Sequence, residues 1–283
     1  PSIFFNSLYE MNQTEWFKEV FDLKDVKQDT TYHPEGDVYE HTMSVIDEAS
    51  TLFSTGIDSP DRYLPFMLSA LCHDFGKVNT TKINNKGRIC AINHEKTGIP
   101  LANDFLDRIY NNKSFTKYVD NMIKYHMKAH SCFNNKAKVK TTNLLFDEIL
   151  YPKDFIHLAC ADGIGHNIQK LDSRQFNMFF EKAMSENEFL IDRYFNYGKR
   201  ISEPHIMADD LIELGLKPSP LYKEILDKSW NLHLKGVNKE NVLKQVADTL
   251  SGKDKRVLLD LINTKEQDAV NKSQENDDYE ITN

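Results

Sequence analysis

Tyr63-Leu64-Pro65-Phe66-Met67-Leu68-Ser69-Ala70-Leu71-Cys72-His73-Asp74-Phe75-Gly76-Lys77 decides the fold. From Tyr63 to Cys72 it is dense in apolar residues on every side, which predicts a buried helix rather than an amphipathic surface one. Gly76 comes next as the expected terminator. The flanking sequence is helical as well. In Val38–Phe53 the apolar positions Val38, Val45, Ile46, Ala49, Leu52 and Phe53 form one face at 3.6 residues per turn. Pro100–Tyr110 puts Leu101, Phe105, Leu106 and Ile109 on one side, and Phe115–Met127 repeats the pattern with Tyr118, Val119, Met122 and Ile123. Phe155–Ala161 and Phe176–Leu190 are further helix candidates. Strand alternation is confined to Gly87–Ile92. An all-α helical bundle is expected.

Asn134–Thr142, rich in Lys, Asn and Thr, reads as an exposed loop, and Tyr197–Pro204 as a joint between a first unit, 1–200, and a helical C-terminal extension, 201–264. Within the extension, Asp209–Leu216 and Leu221–Leu232 read as helices around the Lys217-Pro218-Ser219-Pro220 turn. The polar stretch 265–283, with Asn276-Asp277-Asp278 near its end, reads as a disordered tail. The 35 basic residues against 43 acidic ones give a net charge of −8. That argues against a surface that grips nucleic acid all over, though not against a local basic site, and no DNA-binding motif is present. The longest apolar run, Leu64–Cys72, is far short of the roughly 18 residues a membrane helix needs. Pro1–Glu10 lacks the basic start and apolar stretch of a signal peptide. Cys72, Cys90, Cys132 and Cys160 are widely spaced without a Cys-x-x-Cys pair, so a disulfide framework or zinc finger is not expected and a reducing cytoplasm is.

The chemistry gathers around His73-Asp74. An adjacent imidazole and carboxylate at a helix end can turn toward one divalent ion. His41 lies 32 residues before His73, bordering the core face of its helix, and His94 lies 21 after it. His126 comes four after Met122 and three after Ile123, beside the buried face. Asp162 comes four after Leu158 and three after Ala159, which aims a carboxylate inward, where it is costly unless it meets a metal or a cation. One such residue reads as a satisfied core polar group; several on inward faces of successive helices do not read as packing.

These residues bring a resemblance into view. His41, His73-Asp74 and Asp162 match the pattern of the HD-domain metal-dependent phosphohydrolases. Tyr32-His33-Pro34-Glu35-Gly36-Asp37-Val38-Tyr39-Glu40-His41-Thr42, Leu71–Lys77 and His94-Glu95-Lys96-Thr97-Gly98-Ile99-Pro100-Leu101 resemble, more closely still, the HD region of bacterial tRNA nucleotidyltransferases, the CCA-adding enzymes. Asp210-Leu211-Ile212-Glu213-Leu214-Gly215-Leu216-Lys217-Pro218 resembles the segment C-terminal to that region in those enzymes. The likeness spans about 33–232, with the HD core at about 33–170. Two departures stand out. No Gly-Ser turn with an Asp-x-Asp pair after it is found, so the nucleotidyltransferase head is missing and CCA addition is not expected. After Asp162 comes Gly163-Ile164-Gly165-His166, without the family's usual basic residues.

The resemblance implies that His41, His73, Asp74 and Asp162 ligate one metal and that His94 and His126 hold a second, with Asp74 bridging. One or two divalent ions are the implied cofactors: Mn, Fe, Ni, Co or Zn, or Mg. Two neighbouring cations would neutralise phosphate oxygens and activate a water for in-line attack. Asp74 and Lys77 are the implied catalytic residues, Lys77 placing an ammonium on the phosphate or standing as a solvated lysine. His33, Arg88, His130 and His166 are candidate substrate contacts, with Lys82 near the entrance. His130 shares a helix face with His126 and competes with it as a ligand; His126 is preferred because it lies closer to the apolar stripe. Glu95 is a candidate for orienting an imidazole or a solvent carboxylate. His157, His205 and His233 belong to no constellation. The implied activity is a metal-dependent phosphohydrolase, a 2′,3′-cyclic phosphodiesterase or phosphatase acting on nucleotides or RNA ends. The alternatives are a nucleotidase or nucleoside triphosphohydrolase, and a non-catalytic RNA-binding remnant of a tRNA-processing enzyme.

Overall fold

A computed structural model of the chain describes residues 1–56, 59–166 and 171–281. The described residues are all-α apart from one two-stranded hairpin. In order the elements are α1 (Ser2–Glu10), α2 (Lys18–Phe21), α3 (Val38–Gly56), α4 (Tyr63–Cys72), α5 (Lys77–Thr80), β1 (Thr81–Ile83), β2 (Ile89–Ala91), α6 (His94–Ile109), α7 (Lys113–Asn134), α8 (Val139–Glu148), α9 (Pro152–Ile164), α10 (Ser173–Ser202), α11 (Ala208–Glu213), α12 (Pro220–Leu234), α13 (Lys239–Thr249) and α14 (Gly252–Ile281).

The chain divides into two compact units, 1–137 with 146–194, and 138–145 with 195–283. In the first, α4 packs against α3, α7 and α9, which accounts for its apolar character all round: Phe66, Ala70 and Cys72 are fully buried. Asp37 caps α3, its Oδ1 accepting from the Tyr39 and Glu40 amides. Asn112 caps α7 by accepting from the Ser114 and Phe115 amides. In the second unit a separate core forms around Leu211, Ile225, Val246 and Leu258. No helix among the described residues is long and apolar enough to cross a membrane, and all four cysteines are free thiols.

Several boundaries differ from the sequence expectation, each for a local reason. α4 ends at Cys72 as expected, but Gly76 is not what ends it: from Cys72 on, i→i+3 bonds (Phe75 N to Cys72 O, Lys77 N to Asp74 O) tighten the chain into turns. Gly76 itself is right-handed, at φ −65°, so it is no left-handed cap. It is glycine because a Cβ would lie 2.0 Å from His94 O and 2.6 Å from Gly98 N. α6 starts six residues before Pro100 and runs through it, held by the buried face of Gly98, Ala102, Phe105 and Leu106. The exposed loop expected at Asn134–Thr142 shrinks to 135–138, because α8 begins at Val139 and buries Thr142 and Asn143. β2 needs a partner, which the polar β1 supplies in antiparallel register, Lys82 opposite Cys90. α10 runs through the expected joint to Ser202. The polar stretch beyond 264 continues as α14 to Ile281, its last two residues lying outside the described ones.

Candidate metal centre

His41 sits in the first turn of α3, His73 and Asp74 in the tightened turn after α4, His94 at the start of α6, His126 in mid-α7 and Asp162 near the end of α9. All belong to the first unit. Their ligand atoms fall into two groups able to hold a metal ion: His41, His73 and Asp162, and Asp74, His94 and His126. Asp74 joins the two. Its Oδ2 lies 3.3 Å from His73 Nε2, while its Oδ1 lies 3.2 Å from His94 Nε2 and 4.0 Å from His126 Nε2. In the first group His41 Nε2 is 2.9 Å and His73 Nε2 3.7 Å from Asp162 Oδ1.

The imidazoles are fixed by their own backbone. His73, His94 and His126 each hold a backbone carbonyl three residues earlier with Nδ1: Ala70 O at 2.8 Å, Ala91 O at 2.7 Å and Ile123 O at 2.7 Å. A carbonyl only accepts, so Nδ1 carries the proton and Nε2 is the free nitrogen. His94 Nε2 and His126 Nε2 then face one another at 3.0 Å. Two lone pairs at that distance repel unless a proton or a cation lies between them. His73 Nε2 is buried and makes no hydrogen bond among the described residues. A set of converging, buried imidazole nitrogens, one of them without a partner, beside two carboxylates fits a divalent cation by donor chemistry.

Burial and the neighbouring imidazoles of His94 and His73 lower the His126 pKa to about 3, which keeps it a neutral donor. Against their burial, Asp74 is held well below the usual carboxylate range by His73 and Lys77, and Asp162 by His130 and His41. His41 and His130 are raised to about 9 and about 10, their carboxylate partners (Asp162 and Glu35; Asp162 and Glu186) outweighing burial. Burial and the Lys77 cation lower His33 to about 4.

These directions fix a pH dependence for metal-free protein. His41 and His130 stabilise the fold fully below the unfolded value of about 6.5, and the contribution is lost as pH rises through about 9 and about 10. His126 and His33 act oppositely: below about 6.5 the unfolded chain takes up protons that the fold refuses. The melting temperature of chelator-treated protein is expected to peak near about pH 6.5. It should fall on both sides, as calorimetry can check; a profile flat across that range would contradict these environments.

The other sequence candidates separate. Lys77 is buried, 2.7 Å from Asp74 Oδ2, and donates to Gln28 Oε1 at 2.7 Å. His126 rather than His130 joins Asp74 and His94. His130 turns Nε2 to Asp162 Oδ2 at 2.8 Å and Nδ1 to Glu186 at 2.8 Å. Lys77, His33, His130 and His166 line a cleft of about 350 Å³ that reaches the ligand groups. Arg88 and Lys82 do not: both are exposed on the β1–β2 hairpin, outside the cleft lining, since the hairpin turns their side chains to solvent. Glu95 belongs to neither ligand group. Sequence reasoning missed Gln28, Glu35 and Glu186, and the cleft-lining Lys27 and Lys182. Glu186 carried a signal, since Ala183 and Leu190 put it on the buried face of α10; Gln28 carried none.

No family model matches the chain. The multifunctional CCA protein of Pasteurella multocida is 29% identical over 233 residues, 80% of this chain and 50% of that protein. That of Mannheimia succiniciproducens is 27% identical over 226 residues, 77% of this chain and 49% of its own length. The protein of the same name from Ralstonia nicotianae is 38% identical over 84 residues, 30% of this chain and 17% of its own. The chain is homologous to the multifunctional CCA proteins. It spans about half the length of the curated relatives it matches over most of its own length.

Proposed function

We propose that the chain is a metal-dependent phosphohydrolase acting on 2′,3′-cyclic phosphates or phosphomonoesters of nucleotides or RNA ends, tRNA among them. One observation carries the proposal: the two oxygens of Asp74 face different sets of imidazoles, His73 on one side and His94 with His126 on the other. A carboxylate placed in that way suits two ions side by side. His41, His73, Asp74 and Asp162 would hold one and Asp74, His94 and His126 the other. When bound, such ions supply Lewis acidity toward phosphate oxygens and lower the pKa of a water nucleophile.

The chain's own residues do the rest. Lys77 reaches the cleft with two of its hydrogens directed to Asp74 and Gln28, which leaves a third for a phosphate oxygen and for charge that builds up in the transition state. His130, pinned between Asp162 and Glu186, holds Asp162 Oδ2 so that Oδ1 faces His41 and His73. Lys27 and Lys182 add positive charge to the lining of a cleft in an acidic protein. A volume of about 350 Å³ suits one nucleotide, free or terminal, better than an RNA helix. The names of the homologues, multifunctional CCA proteins, support a tRNA-processing role.

Protein loaded with Mn²⁺ or Ni²⁺ is expected to hydrolyse 2′,3′-cyclic AMP and p-nitrophenyl phosphate, and the His73→Ala variant to fall by about 10³-fold. Assays with 2′-AMP and ATP alongside separate the nucleotidase alternative. No turnover of any of these by loaded protein, with steeply salt-dependent tRNA binding, would instead favour an RNA-binding module.

A further inference from the structure

Glu35 is fully buried, in the turn that leads into α3, and meets three imidazoles at once. His33 Nδ1 lies 3.2 Å from its Oε1 and His166 Nδ1 3.3 Å from its Oε2, both in hydrogen-bond geometry; His41 Nδ1 lies 3.0 Å from Oε1, an ion-pair contact whose angle falls outside hydrogen-bond geometry. His41 turns its other nitrogen to Asp162, within the first ligand group. His33 and His166 line the cleft. His166 also packs against Phe179, ring centroids 4.3 Å apart. Glu35 itself has no part in the hydrolytic chemistry proposed for Asp74, Lys77 and the two ligand groups.

We propose that Glu35 is a positioning residue that sets which nitrogen three rings present, holding Nδ1 of His33, His41 and His166 so that Nε2 faces the metal group from His41 and is left to the cleft in His33 and His166. A carboxylate can only accept, so it favours the Nδ1–H form of each ring it meets. A carboxylate behind a ligating imidazole fixes both its tautomer and its orientation. One buried side chain thereby couples the metal group to the substrate wall: moving it turns a ligand ring and two wall rings together. For His41 this rests on the metal-centre reading; for His33 and His166 it does not.

The alternative is that Glu35, His33, His41 and His166 are themselves ligands, since their donor atoms also cluster. That would require His41 to bind ions through both nitrogens.

The test is the tautomer of each ring, read by long-range ¹H–¹⁵N correlation on the full chain with ¹⁵N-labelled histidine, metal-free and loaded with Zn²⁺. His33 and His166 are expected to carry hydrogen on Nδ1 in both forms, and His41 in the zinc form. In Glu35→Gln, which presents an amide NH₂ where oxygen stood, these three rings should change or mix tautomers. His73, His94 and His126, held by backbone carbonyls, should not. Zinc affinity of the first group should fall by about 10- to 100-fold.

Wild-type protein with hydrogen on Nε2 of His33 or His166 overturns the proposal without any variant, as do unchanged tautomers in a folded Glu35→Gln. A third zinc equivalent in the wild type, lost in Glu35→Gln, overturns it in favour of ligation. If zinc does not bind at all, the metal-centre reading fails, while the His33 and His166 tautomers still decide the role of Glu35.

Discussion

Asp74→Ala protein is expected to retain no divalent metal where the wild type holds about two equivalents, and to lose phosphohydrolase activity by about 10³-fold or more. The size of the effect comes from position. Of the six ligand candidates in the two groups, Asp74 is the one that offers an oxygen to each. His126→Ala is therefore the contrast: about one equivalent lost and one kept. The Asp74 substitution also strips Lys77 of its counter-ion. Lys77 is 9% exposed, and among the described residues Gln28 is left to receive its ammonium. Breaking a buried pair by removing one member costs about 3–5 kcal/mol, so the metal-free variant should melt well below metal-free wild type. Metal analysis and calorimetry on the same preparation check both halves. Metal content equal to that of the wild type would remove the two-ion reading.

Gly76→Ala should be nearly as damaging, although the side chain gains one methyl group. The new Cβ would stand 2.0 Å from His94 O, 2.6 Å from Gly98 N and 2.7 Å from Thr97 Oγ1. Two of the three are backbone atoms, so no rotamer change relieves the contact. Either the turn His73–Lys77 or the first turn of α6 must move by more than an ångström, and both carry ligand candidates. Overpacking of this kind costs about 1–3 kcal/mol and can exceed that. An ångström of misplacement at a reacting centre can cost about 10²-fold in rate. Gly76→Ala is thus expected to lower the melting temperature and to lose the equivalent held by Asp74, His94 and His126. Gly87→Ala is the control. Gly87 has φ +74° but nothing within 4 Å of its Cβ position, so it bears only a left-handed strain of about 1–2 kcal/mol and should leave metal content alone.

Which parts of this arrangement were legible in the sequence depends on whether the cause is local. α4 is bounded in the structure as its apolar density predicts, Tyr63–Cys72, because helix burial leaves a mark in the residues themselves. The roles of Gly76 and Pro100 were not legible. A glycine reads as a terminator and an internal proline as a start when only chain-local rules are applied, whereas one is set by the approach of α6 and the other by its packing. β1 escaped notice because a three-residue polar strand exists only by its pairing with β2. His41, His126 and Asp162 could be picked out as polar residues beside apolar faces and His73-Asp74 as an adjacent pair at a helix end, whereas His94 was picked out by its place after that pair and by the resemblance. Their division into two groups about Asp74 is a matter of tertiary distance. Glu35 stood inside a motif that was noticed for its histidines; that it meets three of them depends on His166, 131 residues away.

The carbonyl contacts of His73, His94 and His126 have a consequence for how the centre comes and goes. Each ring is anchored to the peptide group three residues before it, within its own segment, so its orientation is settled when that segment folds. Capture of an ion then has little rotamer entropy left to remove from these three side chains, a saving of up to about 1 kcal/mol for each ring. Emptying the centre would leave these Nδ1 anchors in place, with a proton taking the cation's position between His94 Nε2 and His126 Nε2. An ion bound there would still stabilise the fold by mass action, but it would meet rings the fold has already aimed, so a stripped protein would be refilled, or supplied with a different ion, without refolding.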